Sequence, residues 1–160
     1  MSKDLLQIND LSVSIDNGLI LQHVDLNMKK GETHVLMGPN GAGKSTLGNI
    51  LMGNPQYRVE QGSVVFEGRD ITEESTDKRA RMGMFLSFQN PLEVPGISLQ
   101  SFIRNAIHQQ TGEKLKLLSF QRSMNKAMEL LQMDPSYAER DLNAGFSGVE
   151  KKKLEILQTL

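Results

Sequence analysis

The chain has no cysteine among its 160 residues. A disulfide scaffold is therefore excluded, and so is any thiolate metal site within this stretch. It lacks a dominant charge as well: Lys+Arg 18 stands against Asp+Glu 19, for a net charge of -1. Duplex nucleic acid calls for a strongly basic face or tail, so a nucleic-acid partner is not expected. No apolar run approaches the ~20 residues that a membrane span needs, and direct membrane insertion is not expected either. Met1-Ser2-Lys3-Asp4 shows no basic-then-apolar leader pattern. These absences point to a soluble, cytoplasmic chain. What remains is an ordinary globular composition, 38% hydrophobic and 23% charged, in a length sufficient for one domain with a real core.

Three short basic clusters occur, at Lys29-Lys30, at Lys78-Arg79-Ala80-Arg81 and at Lys151-Lys152-Lys153. Each reads as a solvated helix or loop face. His23, His34 and His108 show no ligand spacing, and the nine Met residues fall mostly on apolar faces as core filler. Asp25 and Glu32 flank turns and are not expected to act as catalytic bases.

Residues 5–15 are apolar and alternating, and Asp16-Asn17-Gly18 supplies a hairpin turn before the return strand of Val24, Leu26 and Met28. Lys29-Lys30-Gly31-Glu32 is a second turn. Thr33 to Met37 is a short apolar run that fits a buried central strand. A helix is predicted from about Lys44 to Met52, stopped at Gly53. Gly62 to Phe66 and Met84 to Phe88 read as further strands. Between them lies a polar helix with Thr72 as its expected cap, ending at Gly83. This alternation predicts an α/β architecture around a partly parallel sheet.

From Gln89 the character changes. Asn90-Pro91 and Pro95-Gly96 break regular structure. Ser98 is a good cap for a helix with Leu99, Phe102, Ile103, Ala106 and Ile107 on one face. Ser119 is read as the cap of a second helix, with Phe120, Met124, Ala127, Met128 and Leu131 on its face and a stop near Asp134-Pro135. A last helix is predicted from near Ser147. Leu154, Leu157 and Leu160 keep helical spacing to the final residue with no stop signal, which reads as a chain cut inside an element.

Gly38-Pro39-Asn40-Gly41-Ala42-Gly43-Lys44-Ser45 matches the phosphate-loop pattern G-x-x-x-x-G-K-[ST] in full. Glycines let backbone N–H groups curl around an anion without a Cβ in the way. The helix that follows points its N-terminal dipole at the phosphates, and Thr46 lies in its first turn. Lys44 is placed to reach the β- and γ-phosphates of ATP, and the Ser45 hydroxyl to ligate Mg²⁺. A second constellation is Gly145-Phe146-Ser147-Gly148-Val149-Glu150-Lys151-Lys152. Ser147 with Glu150 three residues on is a capping box. The segment also resembles the signature motif of ABC ATPases, which implies that Ser147 and Gly148 at this helix start meet the γ-phosphate of an ATP held by a second subunit.

These segments, in this order, resemble an ABC ATPase. The resemblance implies an α/β fold of the P-loop NTPase type: a RecA-like core with an antiparallel β hairpin and a helical subdomain, here without its C-terminal part. It divides the single partial domain into a nucleotide-binding core (1–89), a helical subdomain (90–146) and the start of the signature helix (147–160). Lys44 and Gln89 take the catalytic roles, with Gln89 touching Mg²⁺ beside Ser45 and sensing the γ-phosphate. The family often stacks an aromatic on the adenine; the hairpin here has none, which leaves aliphatic contact by Ile15 or Leu19. Val149 replaces the second glycine of the family signature, and its β-branched side chain is expected to crowd a partner's nucleotide.

Within that family, Phe85-Leu86-Ser87-Phe88-Gln89-Asn90-Pro91-Leu92-Glu93-Val94-Pro95-Gly96 is similar to the SufC type of iron–sulfur cluster assembly ATPase, as is Leu142 to Lys153 with its Phe and Glu-Lys-Lys. That similarity implies SufB/SufD-like scaffold partners, a transient ATP-dependent head-to-tail dimer, and a cytoplasmic or plastidial location. The remaining readings are the nucleotide-binding subunit of a membrane transporter and a non-hydrolysing nucleotide-dependent binding module. The family's Walker B run, D-loop and switch histidine find no match. Val64-Val65-Phe66-Glu67 is the nearest to Walker B but precedes Gln89, the wrong order. The 160 residues by themselves are thus expected to bind nucleotide weakly and not to turn it over.

Overall fold

A computed structural model describes residues 4–16, 18–88, 91–112 and 115–159. The chain forms two compact units, one up to Leu86 and one from Ser87 onward.

The first unit is built on strands β1 (Asp4–Ile15), β2 (Gly18–Lys29), β3 (Arg58–Phe66) and β4 (Arg69–Asp70). They form one antiparallel sheet in the order β2-β1-β3-β4. The predicted hairpin is present: Ile15 pairs with Gly18, and Asp16 adopts φ 47°. Asn17 lies outside the described residues. Helix α1 (Lys44–Leu51) buries Leu47 and Ile50, one turn apart, against Leu6, Ile8, Leu11, Val13, Val64 and Ile71. It ends at Met52, followed by Gly53 at φ 71°, as the glycine stop predicts. Helix α2 (Thr76–Arg81) completes the unit.

Three expectations for this unit need correction. Every strand pair among the described residues is antiparallel, not partly parallel. Thr33–Met37 and Met84–Phe88 join no ladder among those residues. The first of them is open to solvent, with Val35 76% and Met37 89% exposed. An apolar run states a preference for burial, but only a hydrogen-bonding neighbour makes it a strand. Thr72 is not a helix cap. Its hydroxyl accepts from the Val64 N–H at 2.9 Å and donates to Asp70 at 2.6 Å, while Ser75 stands at the N-cap of α2.

The second unit packs helices α3 (Leu99–Thr111), α4 (Leu117–Leu130) and α5 (Gly148–Leu157) around Leu99, Ile103, Phe120, Met124, Met128, Phe146 and Leu154. Ser98 caps α3 as expected, accepting from the Ser101 N–H. Ala106, read as part of the apolar face of α3, is exposed. Ser119 is not the cap of α4: the helix starts two residues earlier, and the Ser119 hydroxyl donates back to the Lys116 carbonyl at 2.8 Å. Asp134 accepts from the Ser136 N–H at 2.8 Å and opens a 3-10 helix at Pro135–Glu139. A short pair, β5 (Val94–Ser98) with β6 (Asp141–Leu142), was not foreseen. Two residues of pairing are too few to leave an alternating signature.

Candidate phosphate-binding loop and signature helix

The loop from Gly38 to Gly43 takes the backbone shape that its glycines permit. Gly41 and Gly43 have φ 85° and 84°, a region that costs a residue with a Cβ about 1–2 kcal/mol. At Gly43 there is a second reason for glycine: an added Cβ would lie 2.7 Å from the Leu21 Cδ2 on β2. Gly43 is the N-cap of α1, with no side-chain cap, and Lys44, Ser45 and Thr46 form its first turn. The N–H groups of a first turn have no carbonyl four residues behind them. They converge with the helix dipole on whatever stands ahead of the helix. Lys44 folds back across the loop, its Nζ donating to the carbonyls of Gly38 (2.9 Å) and Pro39 (2.7 Å). An ammonium thus sits over open amides at a helix start, and the hydroxyl of Ser45 is exposed beside it. This donor set suits a polyphosphate: amides and a cation for its oxygens, and a hard hydroxyl oxygen for Mg²⁺.

The orientation of α1 is fixed at its other end by Arg79, which is only 3% exposed. Its guanidinium donates to the carbonyls of Ile50 and Leu51, each at 3.0 Å, and to those of Glu74 (2.8 Å) and Thr72 (2.9 Å). Arg79 therefore caps the carbonyl end of the helix whose amide end follows the glycine loop. Burial lowers its pKa from the ordinary value, opposed by the carboxylates of Glu73 and Glu74. The expected solvated face at 78–81 is thus corrected at one position. Basic residues in a row read as surface, and nothing local marks the one that turns inward. Its signal lies in the four carbonyls it meets.

The capping box at the start of α5 is present. Ser147 Oγ accepts from the Glu150 N–H at 3.3 Å, and the Glu150 carboxylate accepts from the Ser147 N–H at 2.7 Å. The Ser147 amide is therefore occupied, and Ser147, Gly148 and Val149 are all exposed. Val149 is 70% exposed, and a Cβ built on Gly148 would meet nothing within 4 Å. The Tyr137 hydroxyl also donates to Glu150, at 2.7 Å. Arg140 lies 5.1 Å from the Tyr137 ring centre and 5.0 Å from that of Phe146.

The Tyr137 hydrogen bond, then that of the Ser147 amide, lowers the Glu150 carboxyl from 4.5 to about 2. A depressed carboxyl adds stability that is fully present above pH 4.5 and is lost as the pH falls towards 2. A carbon-13 titration of the Glu150 carboxyl is expected to show a midpoint near 2, moved up towards 4.5 by Tyr137→Phe. A midpoint unchanged by that substitution would remove Tyr137 as the cause.

Gln89, the third expected site residue, lies outside the described residues. Leu19, an adenine candidate, is exposed near the hairpin tip, and Ile15 is half-buried. His23 pairs with Asp10 at 2.6 Å and His34 with Glu32 at 3.1 Å. Among the described residues no group of three His, Cys, Asp or Glu side chains is placed to hold a metal. No helix among them is long and apolar enough to cross a membrane.

A family model described as "ABC transporter" matches residues 21–160. "Vegetative protein 296" of Bacillus subtilis (strain 168) is 46% identical over 162 residues, covering 100% of this chain and 62% of that protein. The "Probable ABC transporter ATP-binding protein" of Streptococcus pyogenes serotype M18 is 46% identical over 158 residues, covering 98% of this chain and 62% of its own. The chain thus spans 62% of the length of these relatives. Among solved structures, the dimeric ABC transporter cassette MJ0796 superposes with a TM-score of 0.80 at 18% identity, covering 98% of this chain and 69% of that one. An ATP-binding subunit of an ABC transporter superposes at 0.78 with 22% identity, covering 96% and 60%. The fold is accordingly the α/β fold of ABC ATPase cassettes, and on the match over residues 21–160 and the 46% identities the chain belongs to the ABC transporter family, in its ATP-binding cassette.

Proposed function

We propose that residues 38–46 grip the phosphates of MgATP and that the protein works as an ATP-hydrolysing ABC subunit. The observation that supports this best is the fold-back of Lys44 over the Gly38 and Pro39 carbonyls at the open amide end of α1. Gly38, Pro39, Asn40, Gly41, Ala42 and Gly43 shape the cradle. The first-turn amides of Lys44, Ser45 and Thr46 point towards the bound anion, and the Lys44 ammonium neutralises the outer phosphates. The Ser45 hydroxyl and the Gln89 amide oxygen would hold Mg²⁺, which would neutralise negative charge on the nucleotide.

In this reading 1–89 is the nucleotide-binding core, 90–146 the helical subdomain and 147–160 the start of the signature helix. The Ser147 hydroxyl and the Gly148 amide meet the nucleotide of a second copy in a transient head-to-tail dimer. A solved relative in fold is dimeric, which supports that arrangement.

The relatives named as ABC transporter ATP-binding proteins favour a membrane permease as partner. Residues 85–96 and 142–153 favour a second reading, in which SufB/SufD-like scaffold proteins are the partners and the service is iron–sulfur cluster assembly. Affinity capture with the full-length protein separates the two. Co-purification of a permease supports the first, and of SufB/SufD-like proteins the second.

Val149 bears on whether ATP is hydrolysed at all. Its side chain meets solvent within this chain, so any penalty must arise against a partner. In the full-length protein Val149→Gly is expected to raise the ATPase rate while changing stability by no more than about 1 kcal/mol, the helix cost of glycine. An unchanged rate would favour a non-hydrolysing binding module.

A further inference from the structure

Tyr137 belongs to the 3-10 helix Pro135–Glu139, yet it reaches the start of α5 by two routes. The first is polar. Its hydroxyl donates to Glu150 Oε1 at 2.7 Å, while Glu150 Oε2 accepts from the Ser147 N–H at 2.7 Å. Each carboxylate oxygen has its own donor, and the two donors are Tyr137 and Ser147. The second route is apolar. The Tyr137 ring meets the Phe146 ring edge-on, with centroids 5.1 Å apart and planes at 77°. Phe146 is buried and directly precedes Ser147. Arg140 lies within 5.1 Å of both ring centres, close enough for attraction between a guanidinium and an aromatic face.

A capping box needs no third member. Its serine and glutamate satisfy one another's amides within a single turn. Glutamate is nevertheless a long side chain, and holding it in one rotamer costs entropy. The Tyr137 hydroxyl favours the rotamer that holds the Ser147 amide. The tyrosine is itself fixed on both sides. Asp134 opens its turn by accepting from the Ser136 N–H. The Arg140 N–H donates to the Tyr137 carbonyl at 3.2 Å, and the Arg140 carbonyl accepts from the Leu99 N–H, at the start of α3, at 2.9 Å. By contrast, the lead-in to Ser147 is an irregular turn, with Asn143 and Gly145 at φ 61° and 67°. Tyr137 ties the end of that turn to the core of the helical unit.

We propose that Tyr137 is a positioning residue for Ser147, holding the start of the signature helix in the arrangement that a second copy's nucleotide meets. The inference rests on the head-to-tail reading given to Ser147 above. Tyr137 touches no nucleotide in this account. It acts through Glu150 on the Ser147 amide and through Phe146 on the residue before it. Its influence therefore falls on the site completed by a second copy, and not on the phosphate loop of its own chain.

The test uses the full-length protein and Tyr137→Phe, which keeps the ring against Phe146 and removes only the hydroxyl. The variant is expected to lower kcat about tenfold through misplacement of Ser147, with the KM for ATP within about twofold. Sedimentation velocity with a non-hydrolysable ATP analogue should show dimerisation weakened about tenfold, while binding of the analogue to the monomer stays within about twofold. In a Ser147→Ala background the same change should cost less than about twofold, because the residue it positions is already altered. Glu150→Gln leaves one acceptor oxygen for two donors and should reproduce part of the loss. Full turnover and dimerisation in Tyr137→Phe, an equal loss in both backgrounds, or a parallel fall in monomer binding overturns the proposal. A wild-type protein that binds the analogue but does not dimerise overturns the head-to-tail reading of Ser147, and this inference with it.

Discussion

Lys44→Ala is expected to lower the MgATP turnover of the full-length protein by at least about 100-fold, the scale on which enzymes lose rate when one pre-organised donor to developing charge is removed. The lysine has two duties. Its ammonium donates to the Gly38 and Pro39 carbonyls, which closes the glycine loop, and in the proposed function it would neutralise the phosphates of the nucleotide. The first duty is partly solvated, and losing it should cost only about 1 kcal/mol of stability. The second is made in a site whose other donors are weakly charged amides, so nothing nearby replaces the cation. A large loss of rate with a small change in melting temperature is the expected signature. A rate within threefold of wild type would place the phosphates somewhere else.

Arg79→Ala is expected to be the most damaging substitution for stability, at about 3–5 kcal/mol. The side chain is buried and satisfies four carbonyls, two of them at the end of α1. Each buried acceptor left without a donor costs about 1–3 kcal/mol, and not all four can find water. Replacement by lysine should recover less than half, because a point cation with three donors does not span four separated acceptors. Chemical denaturation followed by circular dichroism measures both. A loss below about 1 kcal/mol would mean that the helix end finds other partners. The change also reaches function. The glycine loop and Arg79 hold opposite ends of one eight-residue helix, so loosening Arg79 should weaken nucleotide binding without touching the nucleotide.

The contrast between Lys44 and Arg79 shows what sequence can and cannot carry. The shape of the glycine loop was legible because its cause is local. Three glycines, a lysine and a serine within eight residues define the backbone curl and its cation together. The capping box at Ser147 and Glu150 is local in the same way, and so is the cap of α3 at Ser98. Arg79 was illegible because its partners lie five to twenty-nine residues away and are all carbonyls, which every residue has.

Thr72 and Ser119 failed for a related reason. Each is a residue that caps well, but in each case another backbone group claimed its hydroxyl first: the Val64 amide for one, the Lys116 carbonyl for the other. Thr33–Met37 shows a third limit. Its apolar run is real, yet no described strand pairs with it, and pairing is a property of two segments. The Tyr137 hydrogen bond to Glu150 was hidden because nothing local marks it. It emerges only when the chain brings residues 137 and 150 within 2.7 Å.

The central claim is that the loop from Gly38 to Ser45 seats the outer phosphates of a nucleotide. Equilibrium dialysis of labelled ATP against the full-length protein, with Mg²⁺ and with its Lys44→Ala variant alongside, tests it most directly. Saturable binding at one site per chain, abolished or weakened at least tenfold in the variant, is the predicted result. Equal binding by both proteins, or no saturable binding by the intact one, would contradict it.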